Sequence, residues 1–185
     1  IAAKRVIWGK FFNAGQTCIA PDYLLIDTQI YSKFIEQLQL VITKFGLNKL
    51  ENNGKIINQR QFERLVGYLG DGEIITGGDY DKELLKIMPT LLLNPSVDSK
   101  VMTDEIFGPI LPLLTYTGKT ELVNKIRQHR YPLSMYIFSE DTVFCKELIE
   151  QIECGAAGVN TCLYHFANKN LPFGGVMTSG NGQYH

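Results

Sequence analysis

The sequence is short of what several large classes of function require. Its 185 residues contain no apolar run of the ~18 needed for a membrane-spanning helix. There is no basic tract and the net charge is −1, so neither nucleic acid nor an anionic membrane surface finds an electrostatic footprint. The four cysteines, Cys18, Cys145, Cys154 and Cys162, form no C-x-x-C pair, and three scattered histidines complete no zinc pattern. Thiols so dispersed suit a reduced, cytoplasmic setting. Glycine-rich phosphate loops also fail. Gly118-Lys119-Thr120 ends like a P-loop, but Leu113 stands where the first glycine belongs. Gly70-Asp71-Gly72 and Gly180-Asn181-Gly182 begin a dinucleotide fingerprint that breaks at Ile75 and His185. The opening Ile1-Ala2-Ala3-Lys4-Arg5 has no initiator Met and no signal-peptide core, and reads as helix interior in a piece of a longer protein.

What is present is an ordinary globular composition, 45% hydrophobic and 20% charged, in a length that suggests one domain. Residues 1–12 mix Val6, Ile7, Trp8, Phe11 and Phe12 with Lys4, Arg5 and Lys10 at helical spacing. Tyr23-Leu24-Leu25-Ile26 is too short for a helix and fits a strand buried on both faces. Asp27 and Thr28 offer a cap for a helix over residues 29–45, which Gly46 stops. Asn58 caps a second helix carrying Phe62, Leu65, Val66 and Leu69. Strands are expected at 73–76, 110–116, 133–138 and 155–159, and within 84–93. Pro89 makes that last stretch an edge strand or two pieces, and Pro112 suggests an edge or bulge at 110–116. Helices fall at 120–128 and 141–152, a helical turn at 98–104, and the chain is loop-rich from Asn160. Strands alternating with helices predict an α/β fold with a mostly parallel sheet flanked by helices.

The chemistry concentrates at Phe11-Phe12-Asn13-Ala14-Gly15-Gln16-Thr17-Cys18-Ile19-Ala20-Pro21-Asp22-Tyr23. A free cysteine usually fills a core as a small hydrophobe. Here it lies between a helix and a strand, among small and polar residues, with Gly15 to bend the chain and Pro21 to end any helix. Such junctions display reactive side chains.

Gly15-Gln16-Thr17-Cys18 resembles the nucleophile segment of aldehyde dehydrogenases, and Ile19-Ala20-Pro21-Asp22-Tyr23 is similar to the class 3 branch, dimeric enzymes of fatty and aromatic aldehydes. Asp104-Glu105-Ile106-Phe107-Gly108-Pro109 resembles the family's E-x-F-G-P segment, which implies that Glu105 holds the nicotinamide ribose hydroxyls and that Phe107 packs near the nicotinamide. Leu171-Pro172-Phe173-Gly174-Gly175-Val176 looks like its substrate-side loop, with Phe173 toward substrate and Tyr184-His185 at its end. Met177 and Asn181 depart from the glycine and methionine usual there. Asn160 matches a family asparagine, read as structural and bonding backbone near the cysteine turn.

The resemblance implies NAD- or NADP-dependent oxidation of medium-chain, fatty or aromatic aldehydes to acids, with Cys18 passing through a thiohemiacetal and a thioester. It implies no metal and a homodimeric parent. Residues 1–185 are then the nucleophile-bearing catalytic domain, inactive alone. The cofactor-binding domain, the oxyanion asparagine and the glutamate base belong to segments upstream. Two other readings stay open: a thiol-dependent acyltransferase or hydrolase using Cys18, and a non-catalytic folding or association module. A protease-like pairing of Cys18 with His165 or His129 lacks any local signature, and His129 reads as a solvated helix end.

Overall fold

The computed structural model describes residues 1–128 and 131–184, so the readings placed on His129 and His185 lie outside the described residues. The chain resolves into two compact units, Ala3–Tyr116 and Thr117–His185.

In the first unit, α1 (Ala2–Phe11) buries Ala3, Val6, Ile7, Lys10 and Phe11, one stripe at three-and-four spacing. A short 3-10 turn, Phe12–Gly15, breaks the helix where Asn13 and Ala14 enter the left-handed region at φ 53 and 55. Then come β1 (Leu24–Asp27) and α2 (Tyr31–Lys44). The stop expected at Gly46 forms: its N–H donates to the Thr43 carbonyl and that of Leu47 to the Ile42 carbonyl, a Schellman ending. The cap expected from Asp27 and Thr28 does not form on α2. The Asp27 carboxylate accepts from the Gln29 N–H instead, a tight turn before the helix begins.

Next is α3 (Gln59–Tyr68), capped as expected by Asn58, whose side chain accepts from the Gln61 N–H at 3.0 Å. The strands β2 (Glu73–Thr76), β3 (Tyr80–Asp81), β4 (Lys86–Ile87) and β5 (Thr90–Leu93) follow, then α4 (Lys100–Thr103) and β6 (Ile110–Tyr116). The stretch around Pro89 is thus two pieces, one in the β3–β4 hairpin and one in the main sheet. That sheet runs β1-β6-β5-β2, with β1–β6 and β6–β5 parallel and β5–β2 antiparallel.

Two expectations fail here. The strand holding Pro112 is central, not an edge. Carbonyls of Pro109 and Leu113 accept from the amides of Thr90 in β5 and Asn94 just after it, so odd-numbered residues of β6 face β5. The missing N–H of Pro112 falls on the β1 side, where paired residues begin only at Leu113. Conversely, β1 is an edge strand: Ile26 is buried, but Leu24 and Leu25 are only half-buried.

The sheet interior is buried on both faces. Leu92 and Ile110 join a cluster with Phe62, Leu65 and Tyr68 of α3, Leu69 at its end, and Val101 and Met102 of α4. Leu91, Leu111 and Leu113, of opposite pleat, are as fully buried.

In the second unit, α5 (Gly118–Gln128), β7 (Ser134–Ile137), α6 (Thr142–Gln151) and β8 (Ala156–Val159) build a β-α-β element with β7 and β8 parallel, Ser134 opposite Ala156. Asp141 caps α6 by accepting from the Phe144 N–H at 2.9 Å, as its sequence position predicts. Beyond Asn160 the expectation of loop alone is too plain. β9 (Phe173–Gly174) and β10 (Gln183–Tyr184) pair antiparallel, and a Cβ on Gly174 would meet the Gly182 carbonyl at 2.0 Å.

Candidate active site

The cysteine stands on a turn that the chain fixes from several sides. The Ala20 N–H donates to the Thr17 carbonyl at 3.0 Å, closing a four-residue turn with Cys18 at its second position. Ile19, 4% exposed, anchors the turn, and Cys18 faces solvent. The Gln16 side chain ties its approach: Nε2 donates to the carbonyls of Asn13 and Lys55, and Oε1 accepts from the Ile57 N–H at 2.9 Å. Gly15 adopts φ +73, and a Cβ there would lie 2.2 Å from the Gly108 carbonyl oxygen. No other residue type fits that contact. Cys145 and Cys162 are buried, and half-burial pushes the Cys154 thiol up.

Gly108 belongs to the second motif, so the turns of Cys18 and of Glu105 and Phe107 are pressed together in one unit. The backbone of this second turn is clamped by side chains. Arg64 on α3 donates to the carbonyls of Glu105 at 3.0 Å and Ile106 at 2.7 Å, and to the Tyr68 hydroxyl. Tyr68 donates to Asp104 at 2.8 Å. The Ile106 N–H donates to both oxygens of Asp22, at 3.2 and 3.4 Å. Ile106 is wholly buried and serves as the root, while Glu105 and Phe107 stay exposed on either side, Phe107 at φ 47.

Asp22 reaches the second turn, and a buried lysine reaches Asp22. Lys10, 1% exposed, reaches Asp22 with its Nζ 3.9 Å from Oδ1. Burial lowers its pKa to about 8, with Asp22 and Glu105 pulling it back up. Lost hydration raises the Glu105 pKa, Asp22 adds to the rise, and Arg64 and Lys10 oppose it. Tyr23, beside Asp22, is pushed up to about 12 by burial and that charge.

The remaining expected residues lie in the second unit. Asn160, at φ 55, accepts from the Ser139 N–H at 3.2 Å and donates to the Ser139 carbonyl at 2.8 Å, which holds the ends of β7 and β8 together. Phe173 stacks on His165 with centroids 6.2 Å apart and meets Phe166 edge-on at 5.3 Å. Nε2 of His165 pairs with the Ser134 hydroxyl at 3.2 Å, and burial lowers the His165 pKa.

The aldehyde dehydrogenase family model matches residues 1–185. The chain belongs to the aldehyde dehydrogenase family. Among its relatives, aldehyde dehydrogenase family 3 member B1 of Rattus norvegicus is 43% identical over 99% of this chain and 40% of its own length. The dimeric NADP-preferring aldehyde dehydrogenase of Bos taurus is 38% identical over 100% of this chain and 79% of its own length. The structure of the substrate-bound state of Staphylococcus aureus AldH matches with a TM-score of 0.95 at 40% identity, over 100% of this chain and 41% of that one. The chain therefore spans about two fifths of the rat and staphylococcal relatives.

For an aldehyde dehydrogenase, the motifs mark what faces outward and leave out what holds it. Lys10, Asp22, Arg64 and Tyr68 were not singled out by their residue types. One signal did exist. Positions 3, 6, 7, 10 and 11 are one helical stripe, so Lys10 stands where an apolar residue belongs. Arg64 and Tyr68 give no such warning, because their partners lie far along the chain.

Proposed function

We propose that this chain is the nucleophile-bearing part of an NAD- or NADP-dependent aldehyde dehydrogenase that oxidises medium-chain, fatty or aromatic aldehydes to acids. The observation that carries the reading is the contact of Gly15 with Gly108, which joins an exposed thiol to an exposed carboxylate and ring on clamped backbone. These residues fit the nicotinamide–ribose end of the cofactor. A carboxylate accepts both hydrogens of a ribose diol, and a phenyl face backs a flat heterocycle.

Cys18, as its thiolate, attacks the aldehyde carbon, forming a C–S bond and an alkoxide. The Cys18 N–H is one oxyanion donor. When bound, the cofactor supplies the acceptor for the hydride that leaves this carbon. What remains on Cys18 is a thioester. Water then breaks the C–S bond, releasing the acid and restoring the thiol. The chain spans about two fifths of its rat and staphylococcal relatives, which supports assigning the second oxyanion donor and the general base to the rest of a longer protein. Phe173 borders the substrate path and Asn160 supports it. The relative named as dimeric supports a homodimeric parent, and four free cysteines suit the cytoplasm.

The test uses the full-length protein. Glu105→Gln weakens cofactor use and slows aldehyde oxidation while Cys18-dependent ester hydrolysis persists, since the ester needs no ribose contact. Joint loss of both activities makes Glu105 structural and sinks the assignment. Limiting iodoacetamide followed by mass spectrometry labels Cys18 ahead of the other three; equal labelling overturns its role as nucleophile.

A further inference from the structure

We propose that Lys10 is a positioning residue for the cofactor-side turn: its buried ammonium holds the Asp22 carboxylate, and Asp22 holds the Ile106 N–H between Glu105 and Phe107. The proposal rests on the cofactor role given to Glu105 above.

A lysine 1% exposed is costly to charge, and such residues persist when their charge has a task. The task here is set by two carboxylates. Asp22 and Glu105 lie close enough to raise each other's cost of ionisation. Glu105 must be ionised to accept two ribose hydrogens, since a protonated carboxyl spends one oxygen as a donor. Asp22 must be ionised to take the Ile106 N–H across both oxygens. A cation beneath the pair satisfies both needs. Arg64 also favours ionised Glu105, but its guanidinium bonds the carbonyls of Glu105 and Ile106 and the Tyr68 hydroxyl, whereas Lys10 is the cation that reaches Asp22. Lys10 touches neither substrate nor cofactor in this scheme. It acts through Asp22.

The other charged and titratable groups around it are accounted for. Burial and Asp22 raise the Glu105 pKa, Asp104 is engaged by Tyr68, Arg64 bonds the carbonyls of Glu105 and Ile106, and Tyr23 is pushed up to about 12. Lys10 is the group that changes there, its pKa lowered to about 8. Below that value it is charged and the turn is held. Above it the amine is neutral, Asp22 and Glu105 repel, and the turn loosens.

The experiment measures cofactor dissociation constants by nicotinamide fluorescence on the full-length protein, either side of pH 8. A Cys18→Ala background removes the thiol's own titration. The dissociation constant of otherwise unaltered protein rises about tenfold as pH passes through this range. Lys10→Met binds weakly at every pH and shows no step. Asp22→Asn removes the carboxylate through which Lys10 acts, so it binds weakly throughout and its step is lost. A separate assay with Cys18 intact finds the KM of Lys10→Met for cofactor raised more than its kcat is lowered. A flat profile without the substitution, or Lys10→Met that keeps both affinity and step, overturns the proposal. If circular dichroism shows Lys10→Met unfolded, the parental step and its loss in Asp22→Asn decide, and an Asp22→Asn protein that keeps affinity and step overturns the proposal. Glu105→Gln separates the two failures. If it weakens binding and Lys10→Met does not, only Lys10's role falls. If neither does, the cofactor site itself is misassigned.

Discussion

The two units hold their functional loops by different means. In the first, side chains grip backbone: Gln16 ties residues 55 and 57, Arg64 takes two carbonyls, and Asp22 takes an amide. In the second, the loop beyond Asn160 is shaped by backbone packed on backbone at Gly174 and by a stack of Phe166, Phe173 and His165. A site gripped by charged and amide groups keeps a fixed geometry, because each bond has a direction and an unmade one is costly. A loop shaped by rings and close backbone rests on packing geometry, with paired rings keeping stacked or edge-on arrangements.

The hardest blow to this contrast falls on the thiols. In the full-length protein, Cys18→Ala abolishes aldehyde oxidation, a loss of at least ~10,000-fold, while Cys154→Ala leaves turnover within about threefold. Similar losses in steady-state assays would erase the distinction between the units.

The glycines come next. Gly15→Ala forces a Cβ against the Gly108 carbonyl at φ +73 and costs about 4 kcal/mol, read as a fall in thermal midpoint. Gly174→Ala meets an equally hard obstacle, but within two short strands, so it disturbs the β9–β10 ladder with a smaller loss of global stability. Hydrogen exchange localises both effects. A global collapse from Gly174→Ala would show that the second loop is as rigid as the first.

Lys10 separates the units by pH. Folded, it releases its proton near pH 8, whereas unfolded it holds it to about 10.5. Between these values the unfolded state binds more protons, so stability rises with pH. Below pH 8 both states are charged and the burial penalty is fully present. The rise approaches about 3 kcal/mol, and Lys10→Met removes it from a denaturant-midpoint series. Stability therefore climbs over the same range in which the proposed hold of Lys10 on Asp22 is lost.

The smallest effects are the caps. Asn58→Ala and Asp141→Ala each cost about 1 kcal/mol in urea melts, one in each unit. Equal costs would confine the contrast to the functional loops.

These elements also show what the sequence can reveal. Both caps, the Gly46 stop and the exposed Cys18 were readable, because each depends on residues within a few positions of one another. Pro112 misled, since an edge rule counts missing amides but not which neighbour they face. The strand at Leu24 misled, since an apolar run does not reveal its place in the sheet order. Lys10 was half-legible through its helical stripe, whereas the carbonyls Arg64 would take depend wholly on tertiary structure.

The fit of Gly15 into Gly108 bears on how such enzymes can be recombined. A graft of the cysteine turn from a relative would carry its own height and tilt to a surface cut for another. Chimaeras that exchange residues 13–20 without the 104–109 segment should be recovered poorly, and those that exchange both together recovered well. For breeding variants by segment exchange, two stretches far apart in the chain are a single heritable block.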